Sequence, residues 1–194
     1  MKILFFIRSL EVGGSQRQLA ALAAGLARRG HEVAIVMFYD GGPNEDSLSS
    51  LGVRLIHLRK AGRWDIFGPF ARLCSIIRAE RPDILYPFLP TQNTLAALLV
   101  PRRDRGRLVF GIRAAGMRAE HYDALAGPIY RLEAWLSRRA DLIIANAESG
   151  RADAVRRGMP GERIVVIPNG IAHAVYVAGF ELANRKHSLA YTLP

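Results

Sequence analysis

The glycine pair Gly13-Gly14 is the first place in this chain where chemistry can occur. It lies in "RSLEVGGSQRQLAALA" (8–23), between an apolar run ending at Ile7 and a segment of helical spacing that opens at Ser15. Glycines there permit positive φ and close approach of another group to the backbone. The free N–H groups of a helix start favour an anion. A phosphate cradle and a plain strand-to-helix turn fit these residues equally, because the spacing is not G-x-G-x-x-G and no Walker A Lys-Ser/Thr follows. The other candidates are thinner. Tyr86, Phe88 and Asn93 flank the end of an apolar run, where packing explains the aromatics as well as substrate stacking does. Arg113, Arg118, Glu120 and His121 share a polar loop that suits a substrate or plain solvent. The five histidines lack metal-ligand spacing. There is no G-x-S-x-G elbow, no Cys–His pairing and no carboxylate pair.

These residues are placed by an alternation of apolar runs and helical patterns. Strands are predicted at 2–7, 32–38, 53–58, 83–88, 107–112, 141–146 and 163–170, and helices at 15–29, 65–80, 91–100, 127–140 and 149–158. Ser15 and Gln18 form a capping box for the first helix and Gly30 its C-cap. Gly68-Pro69 breaks the second helix early, and Pro128 sits in the first turn of the fourth. The near-continuous apolar strands suit burial on both faces. The alternation predicts a Rossmann-like, doubly wound, mostly parallel α/β sheet of about seven strands. Ligands then bind beyond the carboxyl ends of the strands, at loops 8–14, 39–46, 59–65, 89–93, 113–121 and 146–149.

Half of the 194 residues are apolar, enough for a sizeable core, and no apolar run reaches the length of about 20 residues that spans a bilayer. The N-terminus turns polar at Arg8 and Ser9, too soon for a signal peptide. With one cysteine, Cys74, in an apolar helical segment, the chain reads as cytoplasmic with a packed thiol. The net charge of +10 comes mostly from arginine. It suits a phosphorylated substrate or an anionic membrane surface. No aromatics interleave with the densest cluster, "PRRDRGR" (101–107), so nucleic acid is not expected as a partner.

"MKILFFIRSLEVGGSQRQLAALAAGLARRGHEVAIV" and "RRADLIIANAESGRADAVRRGMPGERIVVIPNGI" together resemble the N-terminal half of retaining, sucrose-synthase-like family 4 glycosyltransferases, in order over residues 1–171. The glycine pair, "RGHEV" and "IPNGI" carry the resemblance jointly. It implies the N-terminal, acceptor-side domain of a GT-B architecture, whose C-terminal partner domain binds a UDP- or GDP-sugar, usually without a metal. It places Gly13, Gly14 and Ser15 at the donor phosphates, and Tyr86, Asn93, Arg113, Arg118 and His121 on the acceptor side. Many members carry a His at the end of the fourth strand; here "DILYPFLP" (83–90) offers Tyr86 and Phe88, so no catalytic residue is assigned.

Residues 172–194 do not resemble the family's continuation and read as an atypical tail, as a truncated or frameshifted gene would give. The implied function is hexosyl transfer from a nucleotide sugar to a glycan or lipid-linked acceptor, in polysaccharide biosynthesis at the inner membrane face, with this chain inactive alone. The alternative is a non-catalytic subunit that pairs with a separate donor-domain chain or with a membrane surface.

Overall fold

The computed structural model describes residues 1–43, 45–62, 65, 67–113 and 126–170. Seven strands form one sheet: β1 (Lys2–Ile7), β2 (Glu32–Met37), β3 (Arg54–His57), β4 (Ile84–Pro87), β5 (Arg107–Ile112), β6 (Leu142–Ala145) and β7 (Ile164–Val166). Their order is β3-β2-β1-β4-β5-β6-β7, and every neighbouring pair is parallel. The direction of winding reverses between β1 and β4, which makes their carboxyl ends the switch point of the fold.

The helices are α1 (Gly14–Arg28), α2 (Glu45–Ser50), α3 (Phe67–Glu80), α4 (Pro90–Leu99), α5 (Ala126–Leu136) and α6 (Glu148–Arg156). Pro69 does not break α3. It is the third residue of that helix, where the backbone N–H it lacks would have no intrahelical partner. The C-cap of α1 is Arg29; Gly30 lies one residue further on, at φ +80, and closes a Schellman turn with Gly30 N–H to Ala27 O and His31 N–H to Leu26 O. The Ser15/Gln18 capping box does not form. Gly13 is the N-cap, and no side chain caps the helix.

The two faces of the sheet are dressed unequally. Leu73 and Ile77 of α3, Ala96 and Ala97 of α4, Ala134 and Leu136 of α5, and Ala154 of α6 pack against one core centred on Leu4, Phe6, Val36 and Phe110. On the other face α1 and α2 pack over Ile3, Phe5, Ile35 and Met37. Each buried Phe or Leu of these layers contributes roughly 1.5–3 kcal/mol. The second face continues beyond α1 into an apolar hollow of about 570 Å³ over β4 to β6, floored by Ile84, Val109, Leu142 and Ile144. Cys74 is half-buried on α3, its thiol 3.5 Å from Leu99 O, and burial pushes its pKa up, as suits a packed thiol. Among the described residues no helix is long and apolar enough to cross a membrane.

Candidate functional site

The loop from β1 to α1 shows what its glycines contribute to the backbone. Gly13 has φ 179 and ψ 159, extended backbone that any residue adopts, and Gly14 is already helical. The turn therefore needs neither glycine for its conformation. A side chain at Gly13 would meet only the movable end of Gln16, and one at Gly14 would meet nothing within 4 Å among the described residues. What the glycines supply is room above a helix start that no side chain caps and whose first turn holds no acidic residue. That is an anion-ready surface.

Opposite α1, the carboxyl ends of β4, β5 and β7 converge on Arg113. Its Nη2 donates to the Tyr86 hydroxyl at 2.7 Å and its Nη1 to Asn169 Oδ1 at 3.3 Å. Its guanidinium carbon lies 4.0 Å from the centre of the Phe88 ring, a cation–π contact. Asn146 Nδ2 holds the Arg113 carbonyl from the end of β6. Arg113 Nε is buried without an acceptor among the described residues. Burial pulls the Arg113 guanidinium below its usual pKa and pushes the Tyr86 phenol up, and their mutual hydrogen bond opposes both shifts. No carboxylate of the described residues pairs with Arg113. Gln18, one turn into α1, donates to Gly170 O at 2.9 Å and so ties the glycine loop's helix to the segment after β7.

The structure thus brings together Tyr86, Phe88 and Arg113, all singled out in the sequence, and adds Asn169 and Gln18. In the sequence Gln18 reads only as part of a capping box and Asn169 only as part of "IPNGI"; the Pro-Asn-Gly turn that follows an apolar run is the signal that marks Asn169. Asn93 is different. It is fully buried on α4, and its Nδ2 is spent on Gly111 O (3.1 Å) and Glu133 Oε1 (2.7 Å). It cannot reach an acceptor and instead ties α4 to β5 and α5. Glu133 in turn accepts from Arg157 Nη1 at 3.1 Å, and burial pushes its carboxyl up in pKa. Arg118 and His121 lie outside the described residues. Arg8, Glu11, Tyr39, Asp40, Arg59 and Lys60, from beyond the ends of β1, β2 and β3, line a polar hollow of about 410 Å³. There Arg8 lies over the Tyr39 ring at 5.4 Å and His57 Nδ1 stands 2.9 Å from Asp40 Oδ1.

With this geometry in hand, the comparisons with known proteins are specific. The glycosyl transferase 4-like domain family matches residues 13–170, and the chain belongs to that family. No curated protein matches it. Among solved structures, Anabaena Alr3699/HepE in complex with UDP superposes with a TM-score of 0.69 at 23% identity, over 91% of this chain and 46% of that one. The lipopolysaccharide outer core galactosyltransferase WaaB, in its apo form, gives 0.61 at 13% identity, over 89% and 46%. The UDP-GlcNAc 2-epimerase of Neisseria meningitidis, bound to UDP-GlcNAc, gives 0.58 at 16% identity, over 98% and 54%. At these identities the likeness is one of fold: a Rossmann-like domain of the kind found in GT-B glycosyltransferases. The chain spans about half the length of the structures it matches.

Proposed function

We propose that this glycosyl transferase 4-like domain is the acceptor-side half of a nucleotide-sugar-dependent, retaining glycosyltransferase that moves a hexosyl unit onto a glycan or lipid-linked acceptor. One observation carries the reading. The uncapped start of α1, kept open by Gly14, faces the same edge of the sheet as the Arg113 cluster, which holds no carboxylate among the described residues. A diphosphate leaving group needs donors of this kind. The polar hollow between the β1, β2 and β3 ends is suited to sugar hydroxyls. The neighbours' complexes with UDP and UDP-GlcNAc support a uridine nucleotide as the donor's carrier.

Transfer requires donor and acceptor to be held together, and the described residues form a single Rossmann-like domain. A second domain, on the same polypeptide or another, completes the site. The apolar hollow over β4 to β6 favours a further reading, a subunit that pairs with a separate donor-domain chain.

Calorimetric titration of the 194-residue chain with UDP, GDP and their sugars, beside a transfer assay, tests the proposal. We expect weak or undetectable nucleotide binding and no transfer by the chain alone. Acceptor-dependent release of UDP or GDP is expected once a family donor domain is joined after Gly170 or added in trans, and its loss in Gly14→Val. Turnover by the isolated chain would overturn the acceptor-half reading.

A further inference from the structure

At the opposite, amino-terminal edge of the sheet the structure holds a second polar site unrelated to the family's chemistry. Arg105 precedes β5, whereas Arg113 follows it; the strand between them spaces the two by about 20 Å. Arg105 is only 4% exposed. Its Nη2 donates to Arg139 O at 3.2 Å, but Nε and Nη1 have no hydrogen-bond acceptor among the described residues. The nearest carboxylate oxygen, Asp141 Oδ2, stands 3.7 Å from Nη1 and already accepts from Leu108 N at 2.8 Å. The other oxygen, Asp141 Oδ1, accepts from Arg102 at 3.2 Å.

Arg105 lines a hollow of about 380 Å³ together with Arg102, Arg138, Arg139, Leu98 and Pro101. Four arginines therefore line one space; among the described residues Arg139 Nη1 donates to Ala97 O at 3.0 Å, and Asp141 is the carboxylate that pairs with Arg102 and Arg105. A buried donor left without an acceptor is costly, and a buried cation without a full partner more so. An oxyanion with several acceptor oxygens removes both penalties, and arginine forks match a tetrahedral phosphate.

We propose that this hollow is a binding site for a phosphate group, with Arg105 as its buried anchor and Arg102, Arg138 and Arg139 as its rim. The phosphate can arrive on a lipid headgroup or free in solution. The surroundings suit a headgroup: Leu98 on the rim is 52% exposed, and Trp135 on α5, three residues before Arg138, is 62% exposed. Exposed aromatic and aliphatic side chains beside arginines are what an anionic membrane interface selects.

The test uses the full chain with two probes: inorganic phosphate, followed by calorimetry and thermal unfolding, and vesicles of phosphatidylcholine with or without phosphatidylglycerol, followed by co-sedimentation. Saturable binding of phosphate, of phosphatidylglycerol vesicles or of both is expected. Arg105→Met, a swap that keeps the volume, should weaken it at least tenfold. Arg103→Gln, an 82% exposed side chain outside the hollow, should change it less than twofold. Binding to vesicles that millimolar phosphate does not displace identifies a headgroup; binding to phosphate alone identifies a free anion. If Arg105→Met fails to fold, the exposed Arg138→Gln should still weaken binding three- to fivefold. Failure of both probes to bind the wild-type chain, or equal losses in the 105 or 138 variant and in Arg103→Gln, overturns the site and leaves only non-specific attraction to a basic protein.

Discussion

Arg54 and Arg113 stand at opposite edges of the same sheet and are treated in opposite ways. At the amino-terminal edge Arg54 makes a two-pronged contact with Glu80, at 2.9 and 2.7 Å, and a third with Glu32 at 3.0 Å. Lys2 adds 2.9 Å to Glu80 and 3.4 Å to Glu32. Every charge in that corner has a partner, and Glu80 is held at a pKa of about 2, chiefly by its hydrogen bonds from Arg54. At the carboxyl-terminal edge Arg113 has aromatic rings, a phenol and an amide but no described carboxylate. The glycines show the same contrast. A side chain at Gly106, before β5, would lie 2.4 Å from the carbonyl oxygens of Pro82 and Asp83, whereas one at Gly14 would enter open space. The Arg54 corner and the approach at Gly106 are closed by the protein's own groups; the surroundings of Arg113 and Gly14 are left open among the described residues.

The largest effect should come from the closed edge. Gly106→Ala places a methyl against two carbonyls at φ +55 and should cost about 2–4 kcal/mol in denaturant unfolding. A loss below 0.5 kcal/mol would mean that this edge is not closed by contact. Next is the charge cluster. The folded pKa of Glu80, about 2, is below its ordinary value of 4.5, so its stabilisation is complete above pH 4.5 and is lost as pH falls from there towards 2. With surface screening we expect roughly 1–2 kcal/mol. Glu80→Gln should flatten the acid limb of the unfolding curve in that window; an unchanged limb would show the cluster to be idle.

The open edge should respond weakly in stability and strongly in function. Arg113→Met strands no carboxylate among the described residues, so a change in stability of about 1 kcal/mol or less is expected. In a transferase completed by a donor domain the same variant should lower kcat/KM by about 100-fold, the size of losing one donor to developing charge. A large loss of stability with little loss of turnover would move Arg113 to the structural class. The smallest effect on folding is expected for Gly14→Ala. Alanine is favoured over glycine in a helix by about 0.5–1 kcal/mol in its interior and by less at this first position. The melting temperature should hold or rise slightly while phosphate-linked binding falls. A marked drop in melting temperature would return the loop to a plain turn.

Much of the fold was legible because it is written locally. Seven apolar runs and the breaks between them mark the seven strands, each within a few residues of its observed bounds, and "VRRG" ends α6 where Arg157 and Gly158 leave the helix. The last strand is shorter than the sequence pattern suggests: Ile164–Val166 pair with β6, Ile167 N–H still donates to Ala145 O, and "PNG" leaves the sheet to form the segment that Gln18 and Arg113 grip. Within the site, Arg113 is marked by its place directly after β5 and Tyr86 by its place near the end of β4. Asn93 was misplaced because a polar residue at a helix start looks the same in sequence whether it faces a cleft or a buried glutamate 40 residues away.

The sequence by itself determined the class of the fold, the order of its elements and the presence of a glycine-opened helix start. Hydrophobic period, turn residues and helix breakers act over a few neighbours, and those neighbours are in the string. Only the tertiary structure decided that Gly13 and Gly14 are not needed for the turn, that Gln18 reaches Gly170, that Arg113 seats on Phe88 and Tyr86, and that Arg105 is buried with donors to spare. Those outcomes depend on strand order and on which sheet face each helix covers. An apolar pattern says that a residue is buried; it does not say against what.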